Sequence, residues 1–153
     1  MEKEVDYNSL IVKTLKELGF EPQKYDDLGY VFDMEGIHIL YIGDEDTPSF
    51  IRFAVPSIFD ITDENRAEIT GIMYELTKEL KYVKAFDIND SVWISYEHCL
   101  VSPEELETLV AHIIYSLQHS LVYFNDKLTG GWSSDDSGTE TEDIDKDNGG
   151  DRQ

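Results

Sequence analysis

Histidine and cysteine are the side chains of this chain best suited to metal or nucleophilic chemistry, and their spacing argues against both. The histidines are His38, His98, His112 and His119, and the one cysteine is Cys99. Two ligands on one helix reach a single metal when they are three or four residues apart, but His112 and His119 lie about 10 Å apart along a helix. His98 and Cys99 are neighbours on a predicted strand and point to its opposite sides. We therefore expect no metal and no cofactor.

Carboxylates are abundant, but they match no catalytic or calcium-binding pattern. The run from Asp143 to Gly149 resembles the beginning of a calcium loop, yet Asn148 stands where that loop requires glycine. The sequence contains neither a glycine-rich phosphate loop nor a nucleophile elbow. We predict a protein that is not an enzyme and has no catalytic residues. The alternative is an enzyme whose carboxylate site leaves no sequence signature.

The chain is strongly acidic, with 33 Asp and Glu against 12 Lys and Arg in 153 residues and a formal net charge of −21. Phosphate backbones and anionic bilayers are bound by clustered bases, so we expect neither nucleic acid nor membrane as a partner. The charge favours solubility and fast association with basic proteins. An acidic N-terminal segment without an apolar run, together with a single cysteine, predicts a cytoplasmic protein.

Apolar periodicity predicts eight elements, in the order α-β-β-β-α-β-β-α, that must position any site. The predicted strands cover residues 29–34, 37–42, 49–55, 82–88 and 91–100, with turns at Glu35-Gly36 and Asn89-Asp90. The third of these strands is expected to stop at Pro56, which cannot donate to a ladder. We expect an α+β domain over residues 1–124, with a mainly antiparallel five-stranded sheet and three helices.

The three helices have recognisable starts and are followed by an acidic tail. The predicted starts are Asn8 or Ser9, Thr62 or Asp63, and Ser102-Pro103. Residues 125–153 contain nine acidic and three basic residues, and therefore hold −6 of the net charge of −21. They include few large apolar side chains, so we predict that this tail is disordered.

The predicted strands place large apolar side chains on both faces of the sheet. An antiparallel sheet with one wet face alternates apolar and polar residues, so either helices cover both faces or one face meets a partner. On the second helix, Ala67, Gly71 and Tyr74 lie away from the predicted core, and small residues allow another backbone to approach. We take Ala67, Gly71, Tyr74 and Trp93 as candidate partner or dimer contacts. The alternative is ordinary tolerated surface.

The element order resembles the fold of YbjN-like domains and class I type III secretion chaperones. The resemblance is carried by the first helix ending at Gly19, the central helix from Asp63 to Leu80, the Asn89-Asp90 hairpin and the helix opened by Ser102-Pro103. It implies a non-enzymatic, often dimeric protein that binds polypeptides along its sheet and helix surfaces. We therefore expect a protein-binding module of chaperone-like or adaptor character. The alternative is an inhibitor or immunity-type protein whose acidic surface masks a basic partner.

Overall fold

A six-stranded antiparallel sheet with three helices on one face makes up the computed structural model of the chain, which describes residues 5–27 and 29–130. The strands are β1 Gln23–Tyr25, β2 Gly29–Met34, β3 Ile37–Ile42, β4 Phe50–Asp60, β5 Val83–Ile88 and β6 Ser91–Cys99. The helices are α1 Tyr7–Glu17, α2 Arg66–Glu79 and α3 Leu106–Thr129, the last preceded by a 3₁₀ turn at Pro103–Glu105. The calcium-like run and the tail beyond residue 130 lie outside the described residues.

The strands follow the order β1-β2-β3-β4-β6-β5 across the sheet, so β4 pairs with β6 and not with β5. Both predicted hairpins are present, and their turn residues have positive φ, for example 50° at Asn89 and 60° at Asp90, as type I′ turns require. The α+β class and the antiparallel sheet are therefore confirmed. The predicted count of five strands is wrong, because β1 is a sixth strand. Its three exposed residues give no apolar alternation.

The end predicted for the third strand at Pro56 is also wrong. Strand β4 runs on to Asp60 through a register shift between Val55 and Phe59, with φ of 51° at Ser57. A bulge leaves ladder positions unpaired, so it accommodates a residue that has no backbone N–H to donate. The bulge carries β4 past the proline, and Phe59 then packs near Phe124 of α3, with 6.0 Å between the ring centroids.

The helix boundaries differ from the sequence expectation at three ends. Helix α1 is capped by Asp6, whose Oδ1 accepts the backbone N–H of Ser9 at 3.1 Å, while the Asn8 side chain instead accepts the Tyr41 hydroxyl at 2.8 Å. Helix α2 begins only at Arg66, after a turn in which Thr62 and Asn65 exchange hydrogen bonds. Helix α3 continues beyond residue 124 to Thr129, and Leu128 packs against the core.

All three helices pack onto the same face of the sheet. One alternating set of strand side chains supplies the sheet half of this core: Phe32, Met34, Ile39, Tyr41, Ile51, Phe53, Val55, Val83, Val92, Ile94 and Tyr96. The helices supply the other half: Ile11 and Leu15 from α1, Ile69, Ile72, Met73 and Leu76 from α2, and Val110, Ile113, Ile114, Leu117 and Phe124 from α3. The described residues therefore form one continuous core on one side of the sheet.

Two glycines provide a matched test of this architecture. A Cβ on Gly29, where φ is +155°, would lie 1.9 Å from the carbonyl oxygen of Tyr41, so we expect Gly29→Ala to lower the free energy of unfolding by about 2–4 kcal/mol. A Cβ on Gly71 meets nothing within 4 Å, and Gly71→Ala in mid-helix is expected to raise that free energy by about 0.5–1 kcal/mol. Urea unfolding measures both. If both substitutions changed the free energy of unfolding in the same direction, the packing described for Gly29 would be contradicted.

Candidate functional site

The second face of the sheet carries no helix among the described residues, and we call it the open face. Strand pairing places Leu40, Ala54 and Ser95 side by side on it, and Ile42 lies opposite Arg52 in the next row. A cavity of about 340 Å³ opens onto this face. Its lining residues are Ile42, Arg52, Ala54, Lys84, Phe86, Ile88, Trp93 and Glu97.

One half of the open face is apolar. Phe86 of β5 lies directly opposite Trp93 of β6, with 6.5 Å between the ring centroids. Ile88 is 40% exposed beside them, and Trp93 itself is only half-buried. Large side chains in this state still bury apolar area when another molecule covers them, at about 25 cal/mol per Å².

The other half holds three charged side chains from three neighbouring strands. Glu97 of β6 accepts from Arg52 Nε of β4 at 2.8 Å and lies 3.1 Å from Lys84 Nζ of β5. Burial raises the pKa of the Glu97 carboxyl, but the hydrogen bonds and charges of Lys84 and Arg52 outweigh burial and lower that pKa overall. Glu97 is therefore ionised at neutral pH, and the group ties β4, β6 and β5 together across the open face.

Ser95 adds a buried hydroxyl without a partner to this face. It is fully buried, it lies between Ala54 and Lys84 in the strand register, and its Oγ has no hydrogen-bond partner among the described residues. An unsatisfied buried hydroxyl costs about 1–3 kcal/mol. Such a group is unusual in a native sheet and marks the centre of the open face as a site of special interest.

The outer edge of the sheet offers less to a partner than its open face does. The backbone N–H of Ala85, on edge strand β5, donates to Thr77 Oγ1 of α2 at 2.9 Å. The opposite edge, β1, has three residues, and short edge strands discourage pairing with another chain. These two edge strands are therefore less available to a second molecule than the open face is.

The predicted contacts on α2 lie elsewhere. Ala67, Gly71 and Tyr74 are all exposed, with Tyr74 at 66%, and Lys78 Nζ lies 6.0 Å from the centroid of the Tyr74 ring. Helix α2 packs on the helix-covered side of the sheet, whereas Trp93 is on the open face. The structure therefore does not bring Trp93 together with the other three candidates, and they form two separate surfaces.

The histidines serve as packing and hydrogen-bonding groups. His112 is hydrogen-bonded to the Tyr96 hydroxyl at 3.1 Å, and Tyr82 stacks on Tyr96 with 5.6 Å between centroids. Burial raises the pKa of the Tyr96 hydroxyl. His119 stacks on Tyr115. Across residues 5–27 and 29–130, no group of three or more His, Cys, Asp or Glu side chains has the arrangement to hold a metal ion.

No helix in the described part of the chain combines the length and apolarity needed to cross a bilayer.

Comparison with known proteins identifies the fold. No family model and no curated protein matches the chain by sequence. The structure matches YbjN from E. coli with a TM-score of 0.60 and 13% identity, over 79% of this chain and 91% of YbjN. It also matches the Yersinia pestis type III secretion chaperone SycH, solved in complex with a stable fragment of YscM2, with a TM-score of 0.52 and 13% identity, over 76% of this chain and 98% of SycH. The predicted YbjN-like and chaperone-like fold is therefore confirmed.

Sequence reasoning found Trp93 but missed its charged neighbours. Arg52 and Glu97 are 45 residues apart, and they meet only because β4 pairs with β6. Lys84 reaches Glu97 diagonally, since its direct cross-strand partner is Ser95. The signal available in the sequence is a base with apolar neighbours on both sides within a predicted strand, as in Ile51-Arg52-Phe53 and Val83-Lys84-Ala85.

A pair of buried serines tests the unsatisfied hydroxyl. Ser95→Ala removes a group without a partner, so we expect the free energy of unfolding to rise by about 1 kcal/mol. Ser120 is equally buried, but its Oγ donates to the carbonyl of Leu117 at 2.7 Å, so Ser120→Ala is expected to bring no gain. Urea denaturation compares the two. A loss of stability in Ser95→Ala would show that this hydroxyl is satisfied in solution.

Proposed function

We propose that this protein is a non-enzymatic protein-binding module of chaperone-like or adaptor character, whose open face receives a segment of another polypeptide. One observation carries the proposal: every described helix packs on one side of the sheet, and the other side presents half-buried Trp93, Phe86 and Ile42. Uncovered apolar patches bordered by charged groups are typical of interaction sites.

The shape of the surface favours a polypeptide over a small molecule. The cavity residues come from β3, β4, β6 and β5, and four strands about 4.8 Å apart make a surface roughly 15 Å wide. A surface of this breadth can take an extended chain or a helix, whereas small-molecule sites enclose most of their ligand.

The structural comparison supports the same class of function. SycH was solved with a fragment of YscM2 bound, so one protein with this fold binds a polypeptide. The net charge of −21 disfavours nucleic acid and anionic membranes as partners. We further propose a cytoplasmic location, because the single cysteine of the chain needs no oxidising compartment.

Substitution on the open face should weaken partner binding. Trp93→Ser and Ile88→Ser are each expected to weaken binding of the partner at least about tenfold, because central aromatic and aliphatic anchors carry most interface energy. The partner is captured from a lysate of the source organism on the immobilised full chain, identified by mass spectrometry, purified, and titrated against each variant by calorimetry.

Tyr115→Ser is the matched control, because Tyr115 is 66% exposed on α3, away from the open face. Thermal unfolding of every variant verifies that the fold is retained. An affinity that is unchanged in Trp93→Ser and falls steeply with salt would contradict the proposal. That result would favour the alternative, an acidic inhibitor that masks a basic partner.

We further propose that the exposed ridge of α2, made of Ala67, Gly71 and Tyr74, is a contact between two copies of the chain. Small residues at a four-residue spacing allow close helix approach, and a Cβ on Gly71 meets nothing within 4 Å of the same chain. Two acidic copies repel each other, and this repulsion is screened over roughly 8–10 Å at ordinary salt.

Gly71→Arg should therefore convert a dimer into a monomer. Sedimentation at tens of micromolar protein is expected to show a wild-type dimer in 0.15 M salt, with a larger monomer fraction in 0.01 M salt, where the Debye length is about 30 Å. Thr108→Arg places the same charge at an exposed position of α3 and should leave the dimer intact. A dimer that persists in Gly71→Arg would move the contact to another surface.

A further inference from the structure

The open face holds a local excess of positive charge in an acidic protein. Among the described residues, Glu97 is the one carboxylate within salt-bridge distance of Arg52 or Lys84. Two bases thus share one acid, and the formal charges of these three side chains add up to about +1. The chain as a whole has a formal charge of −21, so the centre of the open face differs in sign from the whole molecule.

The two bases are more accessible than the acid between them. The side chain of Lys84 is 52% exposed and that of Arg52 is 39% exposed, whereas that of Glu97 is 22% exposed. A molecule approaching the open face therefore meets the ammonium and guanidinium groups before the carboxylate. Arg52 uses Nε towards Glu97, and arginine is the base best suited to pair with a further carboxylate.

The apolar and basic groups have a fixed spacing. Along β6, Trp93 lies two residues from Ser95 and four residues from Glu97, which corresponds to about 7 and 13 Å at the strand rise. Lys84 is the cross-strand partner of Ser95, and Arg52 is the cross-strand partner of Glu97. In an extended polypeptide, side chains on one side recur at the same interval of two residues. The geometry matches an extended segment whose apolar and acidic side chains lie on one side, two or four residues apart.

Ser95 is a second and independent indication that a ligand belongs here. Its buried hydroxyl lacks a partner among the described residues and lies between Ala54 and Lys84. This row lies between the Phe86–Trp93 pair and the Arg52–Glu97 pair. A polar group of a bound segment could satisfy this hydroxyl once the side chains above it move aside.

We propose that the open face selects an extended, apolar polypeptide segment that carries a carboxylate. Arg52 and Lys84 pair with the carboxylate, and Trp93 and Phe86 receive the apolar side chains. The inference rests on the proposed function and specifies the chemistry of its partner. It opposes the expectation from the total charge, which favours basic partners, because charges more than about 8 Å away are largely screened at physiological salt.

Three synthetic peptides with a neutral fluorophore on the N-terminus and an amidated C-terminus provide the test: Ser-Leu-Ser-Glu-Ser-Leu-Ser and the same peptide with Gln or Lys in place of Glu. Each places its central polar residue on the same side as both leucines when extended. Fluorescence anisotropy with the full chain in 0.15 M salt should show the Glu peptide binding about threefold tighter than the Gln peptide and about tenfold tighter than the Lys peptide, as expected for charge-assisted pairing.

Variants assign this preference to the two bases. Arg52→Gln and Lys84→Gln should each reduce the preference for Glu over Gln to about twofold or less, while Lys13→Gln on exposed α1 should leave it unchanged. Glu97→Gln leaves both bases without their shared acid and should increase the preference. This gain cannot arise from a misfolded protein.

Tightest binding of the Lys peptide, or a preference for Glu that is the same in all of these variants, would overturn the inference. If the Lys peptide binds best and Trp93→Ser abolishes its binding, the open face is a protein-binding site of the opposite charge preference, and the proposed function stands. Failure of all three peptides to bind would also overturn the inference, while loss of the natural partner in Trp93→Ser would still support the proposed function.

Discussion

The packing of three helices onto one face of the sheet is the constraint from which the rest of the structure follows. Six strands about 4.8 Å apart span roughly 24 Å, and three helices at 8–10 Å spacing form a single layer of about that width. One helical layer therefore uses all the helices that the described chain supplies. Fully buried residues of each helix, such as Ile11, Ile69 and Val110, share a single core. The opposite face of the sheet is left without a cover.

The uncovered face combines apolar and charged side chains. A wholly apolar face would invite aggregation, and a wholly charged one would offer no burial to a partner. Here Trp93 and Phe86 stand next to Arg52, Lys84 and Glu97, whose bridges join β4, β6 and β5. Because these side chains are partly exposed, each bridge contributes about 1 kcal/mol or less to stability. Their larger consequence is electrostatic, since they give the centre of this face a local charge of opposite sign to the net charge of the chain.

The likeness to YbjN and SycH at 13% identity shows that very different sequences satisfy the same packing arrangement. Such a likeness specifies where surfaces lie, but not which side chains occupy them. Function has to be argued from those side chains. In this chain the relevant side chains are Trp93, Phe86 and the bases beside them.

Local features of this protein were determined by its sequence, whereas the assembly of its surfaces was decided by tertiary structure. Asn89-Asp90 and Gly19 adopt positive φ, and such backbone preferences depend on the residues themselves, so both turns and the end of α1 were predictable. The bulge after Val55 and the short polar β1 depend on pairing with other strands, and periodicity does not encode that pairing. The meeting of Arg52 with Glu97, and the absence of a helix over Trp93 among the described residues, depend on strand order and on the side each helix takes. These are decided by contacts between residues far apart in the chain, whose combined burial energy outweighs local preference.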